Sequence, residues 1–216
     1  MLLDGRYFAV DGMGRHVGQR GVKLKRSLTC EGEDVSRKAN LGLKAGLNLL
    51  VAYDPLWPAA FEDEEARLAK ALGPVAQGIE HYGSTAVPGL CAKPILDIMV
   101  GISPLSEWER CKPALEALGY DYAEGAGVPG HYIFGRGRDR TERTHLVHVL
   151  EYQRESWRGS LAFRDALRRD AGLRESYAQE KERAAAAVSG NRAAYNLLKG
   201  PFIAESIKKL SRDRTA

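Results

Sequence analysis

The stretch that most constrains this chain is residues 79–102, IEHYGSTAVPGLCAKPILDIMVGI. An apolar lead-in reaches Gly83-Ser84-Thr85, and a turn carrying Pro88 and Gly89 follows. After Lys93-Pro94 comes an apolar run over residues 95–102 that is interrupted by one charge, Asp97. A short apolar run bounded by turn residues predicts a buried strand. A lone carboxylate inside such a strand calls for a salt bridge, a hydrogen-bond network or a metal, because an unpaired buried charge is expensive. The upstream turn adds a second constraint. Glycine allows close approach to the backbone, and exposed amides and hydroxyls suit phosphate oxygens. A phosphate-binding turn and a metal-binding carboxylate on adjacent strands together make a nucleotide site.

The rest of the composition sets the frame. A chain of 216 residues is one domain, or one domain with an appendage. At that size it buries about 70% of its unfolded surface, enough to fold without covalent or metal staples. Cys30, Cys91 and Cys111 are odd in number and form no C-x-x-C pair, which fits a reduced, cytoplasmic protein without a structural zinc. No apolar stretch approaches ~18 residues, so no membrane span is expected, and the N-terminus lacks the apolar core of a signal peptide. Nine of the 32 Lys/Arg and five of the 28 Asp/Glu fall in residues 1–45, leaving the remainder electrically balanced. Residues 1–45 also keep no apolar period. They read as a poorly ordered basic extension, or as a basic arm for an acidic partner, with the folded domain over 46–216. The balanced domain shows no electrostatic footprint for DNA or RNA.

Along the domain the pattern predicts a mixed α/β architecture with a helical C-terminal region. Pro58 opens a helix over 59–72, whose acids Glu62, Asp63, Glu64 and Glu65 read as a solvated face. Strands are expected over 77–82 and 95–102, a helix over 105–118, and a strand over 120–123. Residues 124–130 form a loop, and strands return at 131–134 and 144–152. Between these last two, residues 135–143 carry four Arg on a hairpin loop that is either solvated or a phosphate-contacting lid. Helices follow over 155–170, 173–188 and 192–210. Pro201 falls inside the last and is expected to kink or split it.

Several pieces together carry a resemblance. They are Tyr53-Asp54-Pro55-x-Trp57-Pro58, His81-x-Gly83-Ser84-Thr85-Ala86-Val87-Pro88-Gly89-Leu90 and Ala92-Lys93-Pro94-x-x-Asp97. Further on come Arg143-Thr144 with Val147-His148-Val149, Phe163-Arg164-Asp165 and Lys199-x-x-Phe202-Ile203. In this order they make the region from about 47 to 210 resemble the GrpB family, of the nucleotidyltransferase fold, related to a domain fused to some dephospho-CoA kinases. The resemblance implies a Gly-Ser turn that holds phosphate and, on the next strand, an Asp-x-Asp/Glu pair that holds Mg²⁺ or Mn²⁺ across a nucleotide. It places Gly83, Ser84 and Thr85 as phosphate-binding, Asp97 as metal ligand and catalytic group, and His148 as a second catalytic candidate. Lys93 is expected either to bind phosphate or to pair with Asp97. Arg164 and Lys199, on separate tail helices, are candidates to reach the ligand, with Arg164 read alternatively as a helix-packing ion pair to Asp165. Strand alternation puts Leu146, His148 and Leu150 on one face and His145, Val147, Val149 and Glu151 on the other, so one histidine alone can face Asp97. One position departs from the pattern. Met99 stands where the second acid belongs, and a thioether is no ligand for Mg²⁺. Two readings follow: a transferase using metal-assisted nucleotidyl or phosphoryl transfer, or a non-catalytic module that binds a nucleotide or CoA-related ligand.

Overall fold

A computed structural model describes residues 38–125, 130–188 and 190–213. Most of the basic extension expected over 1–45, and the centre of the loop expected at 124–130, lie outside the described residues. Residues 38–45, which composition assigned to the extension, pack on the folded domain. Strand β1, Leu43–Lys44, pairs antiparallel with β6, Glu142–Arg143, and Leu43 is buried. The Asn40 amide donates to Asp54 at 2.8 Å, and the Asn40 carbonyl accepts from the Trp57 indole at 3.1 Å. Tertiary partners order this stretch where its own sequence offers no period.

Helix α1, Trp57–Leu72, starts two residues earlier than expected, with Pro58 in its first turn. A five-stranded sheet follows, built from β2, Gly78–Tyr82; β3, Leu96–Ile102; β4, Asp121–Tyr122; β5, Tyr132–Arg136; and β7, His145–Glu151. Its order is β2-β3-β7-β5-β4. The β3–β7 pair is parallel and the other pairs are antiparallel. The expected helix over 105–118 divides into a 3-10 stretch, Leu105–Cys111, and α2, Lys112–Ala117. Three helices close the chain: α3, Glu155–Arg169; α4, Ala171–Ala187; and α5, Arg192–Asp213. Pro201 does not split α5.

One face of the sheet carries the main core. Leu96, Ile98, Val100 and Ile102 of β3 alternate onto it and meet Trp57 and Leu68 of α1. Each is at most 2% exposed, and each contributes roughly 1.5–3 kcal/mol by leaving water. The other face is reached by Asp97, Met99 and Gly101. Met99 is buried against Leu150 and Trp157, so the departed acid position is part of the core. Gly78 and Gly101 admit Trp157 and Tyr152 there: a Cβ at Gly101 would come within 2.5 Å of Tyr152 and 2.8 Å of Trp157. The tail helices pack over this second face, with Phe163 and Leu167 of α3 joining Tyr177 of α4 above Val87 and Leu90.

Candidate functional site

Between the second face and the tail helices lies a cavity of about 580 Å³. Its floor is set by strand register. Asp97 pairs with Tyr82 on one side and Leu146 on the other, and Met99 pairs with His148. Paired residues share a face, so Asp97 and His148 lie on the same side while His145 and Glu151 point away. His145 sits beside Arg136 and Thr144. The Glu151 carboxylate accepts from the Leu105 amide at 2.6 Å.

The turn is fitted to the carboxylate. Gly83 has φ 72°, a conformation that costs a residue with a Cβ. A Cβ built there would lie 2.6 Å from Asp97 Oδ2. The backbone of Gly83 therefore runs directly against the carboxylate, and Ser84 follows in a single 3-10 turn, Ser84–Ala86. Thr85 does not join them. It is buried, its hydroxyl lies 3.0 Å from His81 Nε2, and it does not border the cavity that Gly83 and Ser84 border. His81 in turn stacks on Phe61 at 4.7 Å. Burial, with Arg168 and Arg164 nearby, pushes its pKa down to about 3, so it is a neutral partner.

Gly83, Ser84, Lys93, Asp97, His148, Arg164 and Lys199 all border this cavity. Arg164 is already engaged. Its Nη1 donates to Glu80 at 2.7 Å and to the His81 carbonyl at 2.9 Å, and its Nε donates to Asp165 at 2.8 Å. It clamps α3 to the end of β2, just before the Gly83 turn, so the ion-pair reading of Phe163-Arg164-Asp165 describes its contacts. Arg136 and Arg143, expected on a loop, sit in strands. Arg143 makes a bidentate pair with Asp121, and Arg136 meets Glu64 at 2.7 Å. Glu64, read from sequence as solvated, is 3% exposed.

Lys93, Arg192 and Lys199 differ from those arginines: among the described residues, none of the three has a carboxylate within 4.0 Å. The Lys93 ammonium donates to Asn48 Oδ1 at 2.7 Å and lies 3.8 Å above the Tyr195 ring. Lys199 lies 5.1 Å from the centre of the same ring, an arrangement in which the ring quadrupole holds two cations near each other. Burial, then Arg192 and Lys199, push the Lys93 pKa down to about 7. Behind this cluster Lys181, 1% exposed, donates to the Cys91 carbonyl, and burial lowers its pKa to about 8. Burial raises the pKa of Asp97 against the opposing pull of Lys199, Arg192, Lys93 and Lys181. The pairing of Lys93 with Asp97, one of the two sequence readings, is absent at ion-pair distance among the described residues.

His148 is also a neutral group. Burial, with His131 next, pushes its pKa down to about 3. Its Nδ1 lies 3.3 Å from His131 Nδ1, and His131 Nε2 lies 2.8 Å from Ser156 Oγ. Sequence reasoning missed His131, Arg192 and Tyr195. The last two had a signal: Arg192, Tyr195 and Lys199 recur at i, i+3 and i+7, one face of a helix. His131 had none, because its partner is across a strand pair. A second hollow, of about 680 Å³, lies between α3 and the end of α5, bordered by Trp157, Arg169 and Leu210. It reaches neither the Gly83 turn nor Asp97.

The donor set limits what metal chemistry fits. Among the described residues no three His, Cys, Asp or Glu side chains converge, and the position of a second acid is the buried Met99. A two-metal centre does not fit. One divalent cation shared between Asp97 and the oxygens of a bound phosphate does fit, since Mg²⁺ is commonly held by one or two carboxylates together with substrate phosphates.

A Gly-Ser turn set against a strand aspartate on a mixed sheet, under a helical C-terminal region, defines a mixed α/β domain. The family model described as GrpB protein matches residues 49–209, and the chain belongs to the GrpB family. The glutamate-rich protein GrpB of Alkalihalophilus pseudofirmus is 30% identical over 173 residues, 79% of this chain and 99% of that protein. The crystal structure of the conserved protein GrpB from Enterococcus faecalis matches with a TM-score of 0.67 and 29% identity, covering 78% of this chain and all of that one. A dephospho-CoA kinase of Mycolicibacterium paratuberculosis is 27% identical over 183 residues, 74% of this chain and 45% of that protein.

Proposed function

We propose that the cavity binds a small phosphorylated ligand whose phosphate groups sit among Lys93, Arg192, Lys199 and the Ser84 hydroxyl. The observation that carries this reading is the charge balance of the site: three cations without carboxylate partners among the described residues border one cavity that holds a single unpaired carboxylate, Asp97. Lys93 and Lys199 are half-buried and Arg192 is exposed; like charges held near one another repel, and a polyanion relieves that repulsion while gaining charge-assisted hydrogen bonds. Nucleotides and CoA precursors belong to the ligand class, the latter because a dephospho-CoA kinase is among the relatives.

A second reading, metal-assisted nucleotidyl or phosphoryl transfer, is favoured by one observation: the Asp97 carboxylate lies against the Gly83 turn, where a bound phosphate and Asp97 would share one Mg²⁺ or Mn²⁺. In that reading Asp97 would hold the metal, which would neutralise phosphate charge, and the neutral His148 imidazole borders the same cavity.

Thermal shift with inorganic tripolyphosphate, in EDTA and in Mg²⁺, tests both. Binding to the native state raises Tm by mass action. A rise in EDTA that Asp97→Asn preserves supports metal-independent binding. A rise that needs Mg²⁺ and vanishes in Asp97→Asn supports the second reading. No rise in either condition refutes the phosphate site.

A further inference from the structure

The cavity has two chemically distinct ends, and α5 displays the change along one face. Arg192, Tyr195, Asn196 and Lys199 border it in the first two turns, and Ile203 and Ile207 border it in the later turns. On the sheet side Lys93 lies against Tyr195 of that basic half, and Ile133 and Leu146 bring aliphatic side chains to the same cavity, Leu146 paired in register with Asp97.

Resting on the phosphate reading above, we infer that the ligand's remaining part is an aliphatic chain, so that the site takes an alkyl or isoprenoid-type diphosphate in preference to a nucleotide.

Three features carry this. First, Ile133, Leu146, Ile203 and Ile207 offer no amide, hydroxyl or carboxylate to read a base edge, and a base buried there would leave its own donors and acceptors unpaired. Second, the aromatic rings near the cavity are already in use. Tyr195 is covered by Lys93 and Lys199, Tyr177 stacks on Phe202 and meets Phe163 edge-on, and Tyr82 meets His148 edge-on. A base seated among these four aliphatic side chains finds no hydrogen-bonding edge, whereas an alkyl chain requires none and gains by leaving water. Third, Gly200 borders the cavity between the two halves of α5, and a Cβ built on it meets no atom within 4 Å. Glycine is a poor helix former, and here it leaves open space where the basic and apolar halves meet, the place where a chain leaves its diphosphate.

Calorimetric titration of the full chain with geranyl diphosphate, ADP and inorganic diphosphate, each in EDTA and below any micelle threshold, tests the inference. Geranyl diphosphate is expected to bind at least tenfold more tightly than ADP or inorganic diphosphate. Gly200→Leu, which fills the open space with a stronger helix former, is expected to bring the ratio of geranyl diphosphate to inorganic diphosphate affinity close to one. Should that variant fail to fold, Ile203→Thr, placing a hydroxyl in the apolar half, is expected to reduce the same ratio severalfold. Inorganic diphosphate binding with no gain from the geranyl chain, or ADP binding as tightly as geranyl diphosphate, overturns the inference while leaving the phosphate site standing. A ratio that neither variant changes overturns it too. Absence of binding by all three compounds overturns the phosphate site and the inference with it.

Discussion

On the face of the sheet packed against α1, Glu64 accepts hydrogen bonds from the Tyr120 hydroxyl at 2.7 Å, from Arg136 at 2.7 Å and from Arg67 at 2.8 Å. On the opposite face Asp97 has no cation within 4.0 Å among the described residues, although four basic side chains bear on it electrostatically. Glu64 is buried and Asp97 half-buried, and each lies near arginine or lysine. They differ in whether the geometry is closed. Around Glu64 every close cation is drawn into contact, the arrangement that makes a buried charge tolerable. Around Asp97 the cations stand off, held by Asn48 and the Tyr195 ring, and the space between them is the cavity. Closed pairing marks a structural joint, and held-apart charge is the ground on which the ligand site is proposed.

The comparison breaks most visibly on stability. Glu64→Ala removes one member of a buried network and leaves Arg136 without its carboxylate, an expected loss of about 3–5 kcal/mol. Asp97→Asn is expected to leave stability unchanged or raise it. Burial sets the Asp97 pKa above its ordinary value, so the ionised form opposes folding at neutral pH, and the amide removes that opposition. Urea unfolding of both variants at pH 7 decides the matter. Equal losses would mean that the two acids play the same part.

The central strand of this contrast was legible in the sequence, since an apolar run with a single charge at Asp97 predicts the buried strand that β3 forms. The phase of β7 was legible too, because alternation separates His148 from His145 without any structure. The roof of the cavity was harder to see. Lys199, about a hundred residues beyond Asp97, was legible only through the resemblance, and Arg192, exposed on the same helix, has only its spacing from Lys199 to mark it. Glu64 failed for the matching reason: four consecutive acids cover every side of a helix, and only Tyr120 and Arg136, supplied from elsewhere in the fold, select the one that turns in. Thr85 turns to His81, since a hydroxyl next to a glycine turn serves a buried imidazole as readily as it serves phosphate.

The held-apart cations give the next effect. Arg192→Ala with Lys199→Ala removes two charge-assisted contacts, each worth about 1.5–3 kcal/mol. Tripolyphosphate affinity is expected to fall by at least a hundredfold, with unfolding free energy unchanged or raised because like charges have been removed. A stability loss comparable to that of Glu64→Ala would place these residues in the structural class instead.

The smallest effect is a proton. Lys93, with a pKa pushed down to about 7, is largely neutral at pH 8 in the free protein, and a bound polyanion favours its ammonium form. Binding near neutral pH therefore takes up a proton. Affinity weakens as pH rises above about 7, by at most about tenfold per unit for one group. Lys93→Arg, permanently charged, removes this share of the slope, so the ratio of wild-type to variant affinity should decline from pH 6.5 to 8.5. A flat ratio would show that Lys93 keeps its proton throughout and that Asn48 and Tyr195 do more to hold its charge than burial does to expel it.

Trp157 sits near the start of α3, seated where Gly78 and Gly101 present no side chain, and α3 then runs on to carry Phe163, Arg164 and Leu167 over the cavity. The helix behaves as a beam with its hinge-pin at one end and its payload at the other. Two hydrogen atoms on the sheet, at positions that touch no ligand, thus govern the height of a ceiling several turns away. A methyl group at either glycine would push up the pinned end and reach the site as a change in headroom.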